Sequence, residues 1–207
     1  MTDTLLLQGK HIRLESLHPR HVNGLAAAAE GDRELYRWSP VPQGEAEAAR
    51  YLETALAWKE AGTAESFAVV READDAVIGS TRLFNLERWL WPAQHPLHNR
   101  TTPDACEIGY TWFTHSAVRT AANTESKFLM LRYAFETWDV FRVCLHTDVR
   151  NQRSRAAIER IGGKFEGILR AHRMAADFIP RDSARYSIVA AEWPGVKQRL
   201  LDRLERS

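Results

Sequence analysis

A run of small and polar residues, Thr114-His115-Ser116-Ala117-Val118-Arg119-Thr120-Ala121-Ala122-Asn123, lies between a strand-like segment, Ala105 to Phe113, and a helix-like one, Thr124 to Trp138. Where such a loop feeds a helix, unpaired backbone N–H groups and the positive end of the helix dipole point the same way. A pyrophosphate is the kind of group that place binds well, and Arg119 can add a charge-assisted contact. An ordinary strand-to-helix turn has the same composition, so the loop alone leaves both readings open. A second candidate is Asn151-Gln152-Arg153-Ser154-Arg155, between the strand-like Arg142 to Thr147 and the short helix-like Ser154 to Ile161. Asn151 and Ser154 are both helix N-cap types, and capping alone would explain them. They also sit at the C-terminal end of a strand, where open α/β sheets seat ligands.

Positioning these groups requires a sheet, and the chain supplies strands in order. His11 to Leu17 alternates apolar and polar residues, the period of a half-buried strand. Pro19 suits a helix start, and Val22, Leu25, Ala26 and Ala29 form a stripe that ends before Gly31. A second helix is expected from about Gly44 to Gly62. Ser66 to Arg71 and Val77 to Phe84 are dense in β-formers, with Asp74-Asp75 as the turn between them. Leu86 to Asp104 holds three prolines and the Trp89-Leu90-Trp91 cluster without periodicity. It reads as a long loop, a feature that in compact domains serves function or moves.

After the helix ended by Gly162-Gly163, Lys164 to Arg173 and Ala184 to Ala190 read as strands, and Pro194 to Arg206 as an amphipathic helix. Strands at both ends around a central β-α-β-α unit predict a mixed α/β fold, a partly parallel twisted sheet flanked by helices. Without a repeat or linker, residues 1–207 read as a single domain.

Composition narrows the function. Lys plus Arg number 28 against 27 for Asp plus Glu, a net charge of +1. That balance speaks against broad binding to nucleic acid or anionic membrane. Cys106 and Cys144 sit in no metal-type spacing, so no metal is expected. The start, Met1-Thr2-Asp3-Thr4 followed by three leucines, has no basic region and no long apolar run. No segment reaches the length of a membrane span. A cytoplasmic protein is expected.

Three runs together resemble a known family: CEIGYTWF (Cys106 to Phe113), VRTAANTES (Val118 to Ser126) and TDVRNQRSRAAIERIGGKFEGILR (Thr147 to Arg170). In this order they are similar to the GNAT superfamily of N-acetyltransferases, and within it to the RimJ/RimL-type branch. The closing RDSARYSIVAAEWPGVKQRL (Arg181 to Leu200) is similar to the same branch. The likeness runs from about residue 9 to near the end and is weakest through 86–104. It implies an acetyltransferase that uses acetyl-CoA as cosubstrate, without metal, and a primary amine as acceptor: a protein or peptide N-terminus, an amino acid or another small amine. A homodimer is compatible with the branch.

The resemblance also implies roles. The strand at 107–114 would part from the strand at 142–147, and the pantetheine arm would bond to backbone at Trp112, Phe113 and Thr114. An N–H there would stabilise the oxyanion, the largest expected electrostatic contribution. Arg119, Thr120, Ala121, Ala122, Asn123 and Thr124 would hold the pyrophosphate, and Asn151 and Ser154 would face the thioester end. Glu107 is the candidate base, directly or through water; its bland reading is a surface carboxylate at a strand edge.

Two departures stand out. Val118, Ala121 and Asn123 stand where the family usually has glutamine or arginine, then glycine, then glycine or alanine, and a positive φ would cost alanine about 1–2 kcal/mol. Ile158 stands where many relatives carry a tyrosine that protonates the departing thiolate, which leaves Ser154 as the candidate donor. The changes support an alternative, a non-catalytic acyl-CoA-binding module; a third reading is a structural protein whose cleft has closed. His115, His146 and His172 look scattered and read as core or surface residues. Trp89 and Trp91 read as packing or substrate contact. Arg88, His95, His98 and Arg100 make their loop basic, which favours an acceptor with negative charge.

Overall fold

The computed structural model describes residues 5–31, 33–175 and 178–206; the reading of Met1 to Thr4 lies outside them. One eight-stranded sheet organises the chain, in the order β1-β2-β3-β4-β5-β6-β8-β7. Its strands are β1 (Leu6–Gln8), β2 (Ile12–Ser16), β3 (Ala64–Arg71), β4 (Val77–Glu87), β5 (Ala105–Phe113), β6 (Arg142–Asp148), β7 (Lys164–Met174) and β8 (Pro180–Val189). Every neighbouring pair is antiparallel except β5 and β6. A parallel pair needs a long crossover connection, and the helix between these two strands supplies it.

Helices cover both faces. On one, α1 (Val22–Ala29) and α2 (Gly44–Glu60) bury Leu25, Ala48 and Leu52 with Ala68, Val70 and Trp112. On the other, α3 (Ala122–Arg132) and α5 (Trp193–Glu205) bury Leu129, Met130, Val196 and Leu200 with Phe67, Val69 and Ile108. The short α4 (Gln152–Arg160) follows β6. β3 shows why the pattern there is a continuous apolar run: Phe67 and Val69 serve one core while Ala68 and Val70 serve the other. A strand covered on both faces has no polar side to alternate with.

The expected strands and helices are present, with shifted bounds. α3 starts at Ala122 rather than Thr124 and ends in a π-type turn, Tyr133–Thr137. β8 begins at Pro180 rather than Ala184. The three-residue β1 is too short to leave a period in the sequence. Among the described residues, no helix is long and apolar enough to cross a membrane.

One buried carboxylate ties the sheet to α3. Glu125, 3% exposed, accepts from the backbone N–H groups of Lys10, His11 and Ile12 at 2.7, 2.8 and 2.8 Å. Bonds to an ionised acceptor contribute about 1.5–3 kcal/mol each. Gly9 makes room for it: a Cβ there would lie 2.6 Å from the Glu125 carboxyl carbon and 2.5 Å from Ile12 O. The first turn of α3 is thereby fixed against β2.

Candidate active site

β5 and β6 stay paired only from Ala105↔Arg142 to Ile108↔Leu145. β6 runs on to Asp148 beside β8, while β5 continues along β4. At the parting point Tyr110 takes a φ of 52° and the β4–β5 register shifts between Ser80 and Arg82. A bulge of this kind bends its strand and leaves one edge unpaired. Thr114 donates its N–H to Ile78 O at 2.8 Å, so that group is committed to β4. Successive amides alternate in direction, which turns the N–H of Phe113 toward the gap. The Trp112 side chain is elsewhere: it packs edge-on against Tyr36, 6.0 Å between ring centroids, in the core under α1 and α2. Of the expected backbone set at Trp112, Phe113 and Thr114, Phe113 is the residue whose N–H faces the gap.

Below the gap, a groove of about 1090 Å³ follows the loop into α3. Arg119, Thr120, Ala121, Ala122 and Thr124 all line it, and Asn123 sits half-buried beside them. The left-handed position in this loop is Arg119, at φ 65°. Ala121 has an ordinary helical φ of −61°, so the cost expected for alanine there does not arise. Thr120 Oγ1 bridges Ala117 O and Ala122 N at 2.8 and 3.2 Å, which shapes the turn. Lys10, Arg71, Arg160, Arg203 and Arg206 add positive charge around the groove; Glu72 also lines it, and Arg71 is paired with Asp74 at 2.8 Å. Six cationic side chains and a helix N-terminus fit a polyanion such as the phosphates of CoA. The cleft is open.

Across the gap, Asn151 caps α4 by accepting from Ser154 N at 3.0 Å. The capping reading is therefore correct for Asn151, and it fixes half-buried Ser154 in the first turn. Ile158 is 7% exposed and belongs to the core, where a Cβ on Gly163 would lie 2.6 Å from its side chain.

Glu107 corrects the surface-carboxylate reading. It is 4% exposed, with Oε1 2.9 Å from His146 Nδ1 and Oε2 accepting from Asn85 Nδ2 at 2.9 Å and Arg173 Nη2 at 2.8 Å. Burial pushes its pKa up, but His146 and Arg173 more than offset that and hold it below the usual carboxylate range. His146 in turn stands 5.0 Å from His172, ring to ring. These histidines look scattered along the chain, yet both gather behind Glu107. The parallel register explains it: Glu107 sits opposite Cys144, and His146 lies two residues further along the same face.

Two charged side chains escaped the sequence reading. Lys127 is 7% exposed and its Nζ donates to Thr111 Oγ1 at 2.6 Å; Thr111 in turn meets Thr81 Oγ1 at 2.8 Å. Burial lowers its pKa to about 7. Lys127, Met130, Leu131 and Ala134 share the i, i+3, i+4, i+7 spacing of one helix face, the signal that could have revealed a lysine on an apolar side. Arg82 is 1% exposed, its guanidinium carbon 4.4, 4.9 and 4.7 Å from the ring centroids of Tyr51, Trp58 and Tyr110.

The tryptophan loop is held by Asp104, which is fully buried. Its carboxylate accepts from Trp89 N at 2.7 Å, Trp91 Nε1 at 3.0 Å and Arg100 Nη1 at 3.2 Å. Trp89 stacks on Phe141, and Trp91 on His95. Packing accounts for both rings. Among the described residues, no group of three or more His, Cys, Asp or Glu could hold a metal ion.

Comparison with known proteins gives the class to which this parted sheet and cationic groove belong. Residues 11–164 match the family described as the acetyltransferase (GNAT) domain, and the chain belongs to that family. It is 27% identical over 191 residues to a Bacillus subtilis (strain 168) protein carrying the name ribosomal N-acetyltransferase YdaF, covering 91% of this chain and 96% of that one. The fold is similar to a GCN5-related N-acetyltransferase from Brucella melitensis, with a TM-score of 0.81 and 28% identity over 98% of this chain and 86% of the other. It is also similar to Mycobacterium smegmatis RimJ in complex with CoA-disulfide, with a TM-score of 0.77 and 19% identity over 97% and 92%. The likeness is to the RimJ/RimL-type branch, and the protein is an acyltransferase.

Proposed function

We propose that the enzyme transfers an acetyl group from acetyl-CoA to a primary amine by direct attack on the thioester. The observation that carries this is the gap after Ile108 and Leu145, with the cationic groove at one end and Glu107 at the other. Arg119 and the first turn of α3, from Ala121 to Thr124, hold the diphosphate. The Phe113 N–H donates to the carbonyl oxygen as negative charge develops on it. Glu107 takes the proton of the attacking ammonium through water; its low proton affinity makes it a transient acceptor. As the C–N bond forms and the C–S bond breaks, Ser154 donates a hydrogen bond or a proton to the departing sulfur. The chain reads as one domain acting in the cytoplasm, and the name of the Bacillus relative makes the N-terminal amine of a ribosomal protein the first acceptor to try.

Thiol release tests this directly. With acetyl-CoA and a panel of N-terminal peptides, amino acids and small amines, at least one acceptor is expected to give amine-dependent release of free CoA. Ser154→Ala should lower kcat for that acceptor about 10–10²-fold while acetyl-CoA still binds. Tight acetyl-CoA binding without release by any amine would replace this reading with that of a non-catalytic acyl-CoA-binding module.

A further inference from the structure

A second cavity, about 260 Å³, opens where β5 parts from β6 and is lined by Trp58, Thr63, Phe84, Asn85, Tyr110 and Arg173. It lies on the α2 side of the sheet, whereas the phosphate groove follows α3. The charge around it is unbalanced. Arg82 touches the rings of Trp58 and Tyr110, two of the cavity's walls, and its Nε is buried without a hydrogen-bond partner. Among the described residues no carboxylate pairs with it. Arg173 lines the cavity and gives one N–H to Glu107, out of the five a guanidinium carries. Arg173 also stands directly opposite Arg181 in the β7–β8 register, and Arg181 Nε is buried without a partner as well.

Arg181 faces Asp148 as well as Glu107, whereas the buried Arg82 guanidinium, with no carboxylate paired to it among the described residues, is costly unless something else compensates. Cation–π contacts supply part of the compensation for Arg82. Like charges opposed across two strands are unfavourable. The volume of about 260 Å³ is right for an amino-acid-sized group, and the Arg173 donors that line it can bind an acceptor there.

We propose that this cavity is the acceptor site and that it selects amines bearing a carboxylate, which Arg173 contacts and Arg82 attracts from behind the aromatic wall. The proposal rests on the acetyl-transfer reading above and adds the substrate class to it. A planar guanidinium matches a carboxylate in bidentate fashion, and a site built to bind such a group rejects an isosteric amide because its charges are left unpaired. Glu107, behind Arg173, is the neighbour that receives the amine's proton, so the carboxylate would orient the amine at the parting point of β5 and β6.

The test compares matched acceptors that differ only in carboxylate against carboxamide: amino acids and their amides, β-alanine and β-alaninamide, and peptides with aspartate or asparagine at the second position. The carboxylate member is expected to have a kcat/KM higher by about tenfold or more. Arg82→Met and Arg173→Met should each collapse that ratio while acetyl-CoA affinity stays at the native value. A ratio near one in the native protein, or a ratio unchanged in both variants, would overturn the proposal. Should no member be turned over, succinate titrated against the acetyl-CoA complex decides, read from the arginine Nε–H resonances. Movement of the Arg82 and Arg173 signals supports the site, and their invariance sinks it. Failure to bind acetyl-CoA at all would instead sink the transfer reading.

Discussion

Glu107→Gln is expected to lower kcat about 10²–10³-fold, the usual contribution of a positioned proton acceptor, with acetyl-CoA affinity little changed. The glutamine fills the same space and can still accept from Arg173 or Asn85, so the variant removes the charge and leaves the packing. Because His146 and Arg173 hold the carboxylate below its usual range, it is ionised throughout neutral pH. The acid limb of the native rate profile should therefore follow the acceptor's own ammonium rather than Glu107. The same depression means that its contribution to stability is present above its unfolded pKa and is lost only as pH falls through the folded one. A steady-state pH profile of both proteins checks this. A variant with native kcat would remove Glu107 from the reaction and leave it as the anchor of His146 and Arg173.

Lys127→Met is the second large effect, and its direction is toward greater stability. The buried ammonium meets a threonine hydroxyl and, among the described residues, no carboxylate pairs with it. Its pKa of about 7 in the fold lies below the 10.5 of an exposed lysine. Between those values the unfolded chain holds a proton that the folded chain lacks, so native stability rises with pH across that window. Below pH 7 the folded protein must carry the buried charge in full. The methionine variant should then be more stable by about 2–4 kcal/mol at pH 6, an order set by the shift at about 1.4 kcal/mol per unit. The gap should narrow toward pH 10. Urea unfolding of both proteins at three pH values measures it, and a constant difference would show that Lys127 is not desolvated in solution. Loss of activity in the stabilised variant would mark Lys127 as a positioning group for Thr111 at the bulge, paid for in stability.

Most of the scaffold was legible because its signals are local. Ala105 to Phe113 and Arg142 onward are runs of β-formers, and Gly162-Gly163 ends α4. The loop that lines the groove was legible only as a run of small residues before a helix, which an ordinary turn shares. Side-chain partnerships were not, because they depend on register. Glu107 looked exposed until β6 placed His146 and β7 placed Arg173 against it. Ala121 looked strained because the loop was aligned on a glycine pattern, whereas the left-handed residue of that loop is Arg119. Arg82 sits in a strand where alternation decides between two buried faces, and nothing in the strand itself tells that its neighbours are three aromatic rings, two on α2 and one on β5.

The central claim is that the parted strands and the cationic groove accept the donor. A calorimetric titration with acetyl-CoA and with free CoA at moderate salt tests it most directly. Binding in the micromolar range is expected for both, weakened about 10–10²-fold by Arg119→Ala, the loss of one charge-assisted contact. Asn151→Ala should also weaken it by loosening the first turn of α4. No heat of binding at millimolar concentrations of either ligand would contradict the account, because the groove would then be shaped for something other than CoA.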